Sequence, residues 1–159
     1  VTITGGKWTS YRLMAEDTVD KAIEVCGLPK RKCVTKKFRI HGYRKNPDLT
    51  DHMYVYGSDE PKILRLIEQE PALGEKLSQK FGYTLAEVVW AVREEMAITL
   101  EDVLARRVRM LFVDAREAMA AAPKAAAVMA RELGRDQAWI DEQVKSFTDL
   151  AKNYIFEQK

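Results

Sequence analysis

Val1-Thr2-Ile3-Thr4-Gly5-Gly6-Lys7-Trp8-Thr9-Ser10-Tyr11-Arg12 opens the chain and sets how the rest is read. The β-branched run at residues 1–4 predicts a strand. It meets two glycines, which tolerate positive φ and close backbone approach, and then Thr9 or Ser10 as the N-cap of a long helical pattern. A strand, a glycine turn and a helix start leave N–H groups and the positive end of a helix dipole pointing outward, and Lys7 adds a full charge beside them. Such a junction suits an anion. The same order of residues also serves many folds as a plain chain reversal, so the junction alone does not assign a site.

The wording of the segment and of three later stretches points further. Gly5-Gly6-Lys7-Trp8-Thr9-Ser10-Tyr11-Arg12, followed by Met14-Ala15-Glu16-Asp17, resembles the C-terminal edge of the FAD domain in FAD-dependent glycerol-3-phosphate dehydrogenases and the related glycerophosphate oxidases. Arg39-Ile40-His41-Gly42-Tyr43 is similar to that family's Arg-Leu-His-Gly-Tyr. His52-Met53-Tyr54-Val55-Tyr56-Gly57 is similar to its His-Leu-x-x-Arg-Tyr-Gly, and residues 95–107 resemble its C-terminal signature. Val55 and Ile98 stand where the family usually has arginine, so the polar contacts of those arginines do not transfer. The resemblance extends over essentially the whole chain.

That resemblance implies oxidation of glycerol 3-phosphate to dihydroxyacetone phosphate with hydride passing to FAD, the electrons going on to quinone or oxygen. It implies that Lys7 lies near the substrate phosphate and that Gly5, Gly6, Trp8, Thr9 and Ser10 lie along the flavin. No Gly-x-Gly-x-x-Gly turn occurs in the chain. The expectation is therefore a fragment, with residues 1–27 as the edge of the FAD domain, 28–58 as a basic linker and 59–159 as a C-terminal helical domain. Its partner would be the N-terminal FAD and substrate domain, and the piece alone would be inactive.

Composition fits a compact domain: 159 residues, with 26 basic and 24 acidic side chains giving a net charge of +2. So small an excess demands neither nucleic acid nor anionic lipid. No apolar stretch reaches membrane-spanning length and no signal peptide opens the chain, so the expected place is the cytoplasm, or the inner face of the membrane as a peripheral protein. Cys26 and Cys33 have no CxxC partner and read as free thiols.

Helical periodicity dominates the remainder. A first helix is predicted over residues 10–26, stopped by Gly27 and Pro29. Residues 28–46 carry eight cations and no acid, and residues 53–56 read as a short extended piece between turns. Asp59 with Pro61 and then Pro71 predict helix starts, the second helix ending before Gly82. Thr84-Leu85-Ala86-Glu87 is a capping box, and Thr99-Leu100-Glu101-Asp102 a weaker one opening an amphipathic helix with Leu100, Val103, Leu104, Leu111, Phe112, Ala115 and Met119 on its core face. Pro123 is expected to break or restart that helix, Gly134 to end the next, and Asp136 to start the last. The fold class is mainly α, a multi-helix bundle of orthogonal or irregular packing with a short N-terminal strand.

Other chemistry is sparse. His41 and His52 lack companions at metal-ligand spacing, so no metal site is expected, and His41 reads as a structural hydrogen bonder. Arg106, Arg107 and Arg109 point in different directions on a helix near acids, which favours ion pairs. The alternatives are a helical interaction scaffold, or a nucleic-acid or acidic-surface module using the basic residues 30–45. The second lacks interleaved aromatics beyond Phe38 and Tyr43.

Overall fold

A computed structural model describes residues 1–156, and the chain divides into two units, Val1–Tyr43 and Arg44–Lys159. In the first unit residues 1–7 have no regular structure, Trp8–Ser10 form a 3-10 turn and α1 spans Tyr11–Val25. The expected strand at residues 1–4 is not formed: a strand is held by hydrogen bonds to a neighbour, and no strand is present among the described residues. α1 starts and stops where its end signals lie. Gly27 takes φ 63°, and the Leu28 amide reaches back to the Ile23 carbonyl at 3.0 Å, closing the helix through a left-handed glycine. No residue of this unit is buried.

The second unit holds the core. His52–Asp59 is 3-10 helical, interrupted by the positive φ of Gly57, rather than extended at residues 53–56. Asp51 decides this locally, its carboxylate accepting from the Met53 amide at 2.9 Å and so turning the chain at its start. α2 (Glu60–Gln69) follows Asp59, and the Pro71 start yields only a four-residue 3-10 turn, Pro71–Gly74. Residues 75–84 then form a loop pinned by an isolated antiparallel bridge between Lys76 and Thr84.

α3 (Leu85–Glu94) begins at the capping box that the sequence predicts, and Leu85, Ala86, Val88, Val89, Trp90 and Ala91 are all buried. Beyond it the expected single helix is divided. Asp102–Arg107 form a π-helical turn, Arg109 takes φ 57° and ψ 20°, α4 covers only Met110–Val113, and α5 runs over Ala115–Leu133. The break lets Met110 and Leu111 enter the core while Phe112 turns outward, against its expected place on the core face.

Pro123 does not break α5. It lies on the exposed side, where one missing amide donor is offset by the packing of Ala118, Ala121, Ala122, Ala125, Ala126 and Met129 on the other side. That alanine face packs against α3 and against α6 (Gln137–Lys152), which contributes Phe147 and Ala151 to the core. Gly134 caps α5 in the left-handed region and Asp136 caps α6 through the Trp139 amide at 3.0 Å, both as predicted. Among the described residues no helix is long and apolar enough to cross a membrane.

Candidate functional site

The glycine turn takes the backbone form that only glycines adopt easily: Gly5 has φ 75° and Gly6 φ 123°. A Cβ at Gly6 would stand 2.2 Å from Met14 Sδ, so this turn folds closely over the first turns of α1. Lys7 is extended and precedes the 3-10 turn, whose hydrogen bond runs from the Ser10 amide to the Lys7 carbonyl at 2.9 Å. The Lys7 side chain is exposed.

Ser10, not Thr9, is the N-cap of α1, yet its hydroxyl caps no helix amide. It bends back to donate to the Lys7 carbonyl at 3.0 Å. The first amides of the helix thus lack a side-chain acceptor at this cap, and the positive end of the dipole lies next to an exposed ammonium group. Trp8 is 87 % exposed and rests against Tyr11 with ring centroids 5.6 Å apart. The segment therefore presents glycine backbone, a cation, a helix start without a side-chain cap and a flat aromatic side chain in consecutive residues.

Within the same unit, α1 and residues 31–40 enclose an open groove of about 690 Å³ lined by Tyr11, Ala15, Val19, Ile23, Phe38 and Ile40. Arg12 bridges Glu16 at 2.6 Å and Thr35 at 3.2 Å. Arg39 lies over the Tyr43 ring at 4.9 Å. Cys26 and Cys33 are free thiols.

The second unit contains a polar cluster that sequence reasoning missed. Glu87 is 1 % exposed, and its carboxylate accepts from the Thr84 amide at 2.7 Å, the Thr84 hydroxyl at 3.3 Å and the Tyr56 hydroxyl at 3.1 Å. His52 Nε2 lies 3.1 Å from the same carboxylate. The hydrogen bond to Glu87 raises the His52 pKa above its ordinary value, against the opposing effect of burial. Burial, then the charge of Glu87, raises the Tyr56 hydroxyl far above its usual range. The signal was present in the sequence as His52 and Tyr56 four residues apart, but their shared acceptor is 31 positions beyond Tyr56.

Of the three arginines, Arg106 and Arg107 form the ion pairs that the sequence favours, whereas Arg109 leaves the helix and meets an aromatic ring. Arg106 pairs with Glu101 and Asp102 at 2.5 Å each, Arg107 with Glu95 at 3.4 Å, and Arg109 lies 6.0 Å from the Phe112 ring centroid. Burial opposes ionisation of Asp102, yet the amides of Thr99 and Ile98, the Thr99 hydroxyl and Arg106 outweigh it and hold its pKa at about 2. The weaker capping box is thereby formed. His41 lies in the turn closed by the Tyr43 amide and Ile40 carbonyl. Among the described residues no group of three or more His, Cys, Asp or Glu side chains could hold a metal ion.

Comparison with known proteins covers both units. Residues 3–140 match the family described as the C-terminal domain of alpha-glycerophosphate oxidase. The chain is 34 % identical over 98 % of its length to "Probable glycerol-3-phosphate dehydrogenase, mitochondrial" of Caenorhabditis elegans, covering 24 % of that protein. It is 31 % identical, again over 98 % of its length, to the protein of the same name in Dictyostelium discoideum, covering 26 % of it. Identity to "Glycerol-3-phosphate dehydrogenase, mitochondrial" of Mesocricetus auratus is 32 % over 98 % of the chain and 24 % of the relative. The chain spans about a quarter of the length of these curated relatives. No solved structure matches it. The turn at Gly5-Gly6-Lys7, the cluster at His52 and the broken helix after Thr99 thus lie within one matched stretch, and the chain belongs to the family of the C-terminal domain of alpha-glycerophosphate oxidase.

Proposed function

We propose that this chain acts as the C-terminal domain of an FAD-dependent enzyme that oxidises glycerol 3-phosphate to dihydroxyacetone phosphate. The observation that carries the reading is the similarity of nearly the whole chain to glycerol-3-phosphate dehydrogenases, with the Gly5-Gly6-Lys7 segment inside it. FAD, when bound, supplies the hydride acceptor. The residues fit one edge of such a group: consecutive positive-φ glycines and a helix start without a side-chain cap favour a polar or anionic ligand approaching the backbone.

Gly5, Gly6, Trp8, Thr9 and Ser10 would hold that edge. Lys7 would meet the dianionic phosphate of glycerol 3-phosphate, fixing the substrate by charge through the phosphate on the carbon next to the one to be oxidised. Position and electrostatics, rather than proton transfer, are what this segment contributes. The partner is the FAD and substrate domain, and a protein of this kind passes its electrons onward to quinone or oxygen.

The test is Lys7→Ala in the complete enzyme. A charge-assisted contact to phosphate is worth about 1.5–3 kcal/mol, so kcat/KM for glycerol 3-phosphate should fall about tenfold to a hundredfold with FAD retained. Glycerol, which has no phosphate, should discriminate little between mutant and parent. Equal losses for both compounds would remove Lys7 from the phosphate site.

A further inference from the structure

His52 sits at a crossing of three chain segments. Its Nε2 meets the buried Glu87 carboxylate at the start of α3, and its Nδ1 lies 3.4 Å from Asp51 on its own segment. From the 75–84 loop, Tyr83 meets the imidazole edge-on at 5.3 Å and Lys76 opposes its positive charge. The ring also fills the space beside Gly82, where a Cβ would be 2.5 Å from Nδ1. The other groups that donate to Glu87, from Thr84 and Tyr56, are neutral, so His52 is the member of the set able to bring it a positive charge. The His52 side chain is nonetheless 29 % exposed. Its proton can exchange with water without unfolding of the domain.

From this geometry we propose that His52 is a pH-operated latch: protonated, it holds the 3-10 segment His52–Asp59 against the start of α3, and on losing its proton it releases that segment. The proposal is independent of the catalytic reading above. With the proton on, the contact is a charge-assisted hydrogen bond to a buried carboxylate. With it off, the ion pair is lost: the ring offers at best a neutral N–H to the carboxylate, and in the other tautomer turns a lone pair toward it. Because Glu87 raises the His52 pKa, the stabilisation is complete below the ordinary value of 6.5 and is lost as pH rises through the higher folded value.

The latch is tested on the 159-residue chain by following the His52 ring by NMR across neutral to alkaline pH, with His41→Gln to assign the two histidines. Amide exchange is followed in the same samples and corrected for intrinsic base catalysis. His52 should titrate above 6.5, and protection at residues 53–57 should fall about fivefold across that titration, as the imidazolium–carboxylate pair loses its positive partner, while amides of α5 stay constant. His52→Gln should show low, pH-independent protection at residues 53–57. Glu87→Gln should return the His52 titration to its ordinary range. Protection that is flat with pH in the parent chain, that declines equally in His52→Gln, or that falls in step with α5 would overturn the proposal; the parent titration decides it even if a variant fails to fold.

Discussion

Replacing Glu87 by Ala should destabilise the second unit far more than a surface charge change, and a double-mutant cycle with Tyr56→Phe should show why. Glu87→Ala removes the carboxylate half of a capping box, worth about 1 kcal/mol. It also leaves the half-buried Tyr56 hydroxyl without the acceptor that it meets at 3.1 Å, at a cost of about 1–3 kcal/mol. The sum is about 3 kcal/mol before any cavity is counted. Tyr56→Phe alone loses one hydrogen bond to a charged group, about 1.5 kcal/mol, and leaves the carboxylate with its Thr84 and His52 contacts. In the double variant no hydroxyl is stranded, so the combined loss should fall short of the sum of the singles by about 1–2 kcal/mol. Urea unfolding followed by far-ultraviolet circular dichroism at about pH 6, where His52 remains charged, gives all four free energies. Strict additivity, or a Glu87→Ala loss below about 1 kcal/mol, a typical value for a lone cap, would refute the view that Glu87 joins the 3-10 segment to α3.

Four further outcomes follow from local geometry. Met96 takes φ 59° at the end of α3 while 82 % exposed, so Met96→Gly should raise unfolding stability by about 0.5–1 kcal/mol in the same urea assay, relief of left-handed strain outweighing the entropy of glycine. Pro123→Ala, on the exposed side of α5, should raise it by about 1–3 kcal/mol by restoring an amide donor; no gain would mean that the helix is already adapted to proline. Asp102→Asn should cost about 1–2 kcal/mol at neutral pH, and in the parent the Asp102 contribution is present above the ordinary 3.8 and fades as pH falls toward about 2, visible as acid unfolding that the variant shows less steeply. Gly82→Ala should displace the His52 ring and lower its titration toward 6.5, read by the same NMR signal.

Short-range signals in the sequence determined much of the helical layout. Thr84 with Glu87, Asp136, Gly27 and Gly134 act within a few residues of the amides and carbonyls that they satisfy, so their effect is readable without neighbours. The wording of residues 5–12 and 95–107 likewise carried the family, because that resemblance is a property of residue order alone. Tertiary structure decided what depends on distant partners. Residues 1–4 have strand composition, but a strand exists only with a neighbour to receive its hydrogen bonds. Pro123 is helical because the alanine face across from it packs on α3 and α6, which outweighs local propensity. The break at Arg109, where the chain turns left-handed between two buried stretches, likewise follows from no signal in the sequence. His52, Tyr56 and Glu87 converge only after folding, since a carboxylate 31 positions beyond Tyr56 becomes its partner through packing and through no periodicity of the sequence.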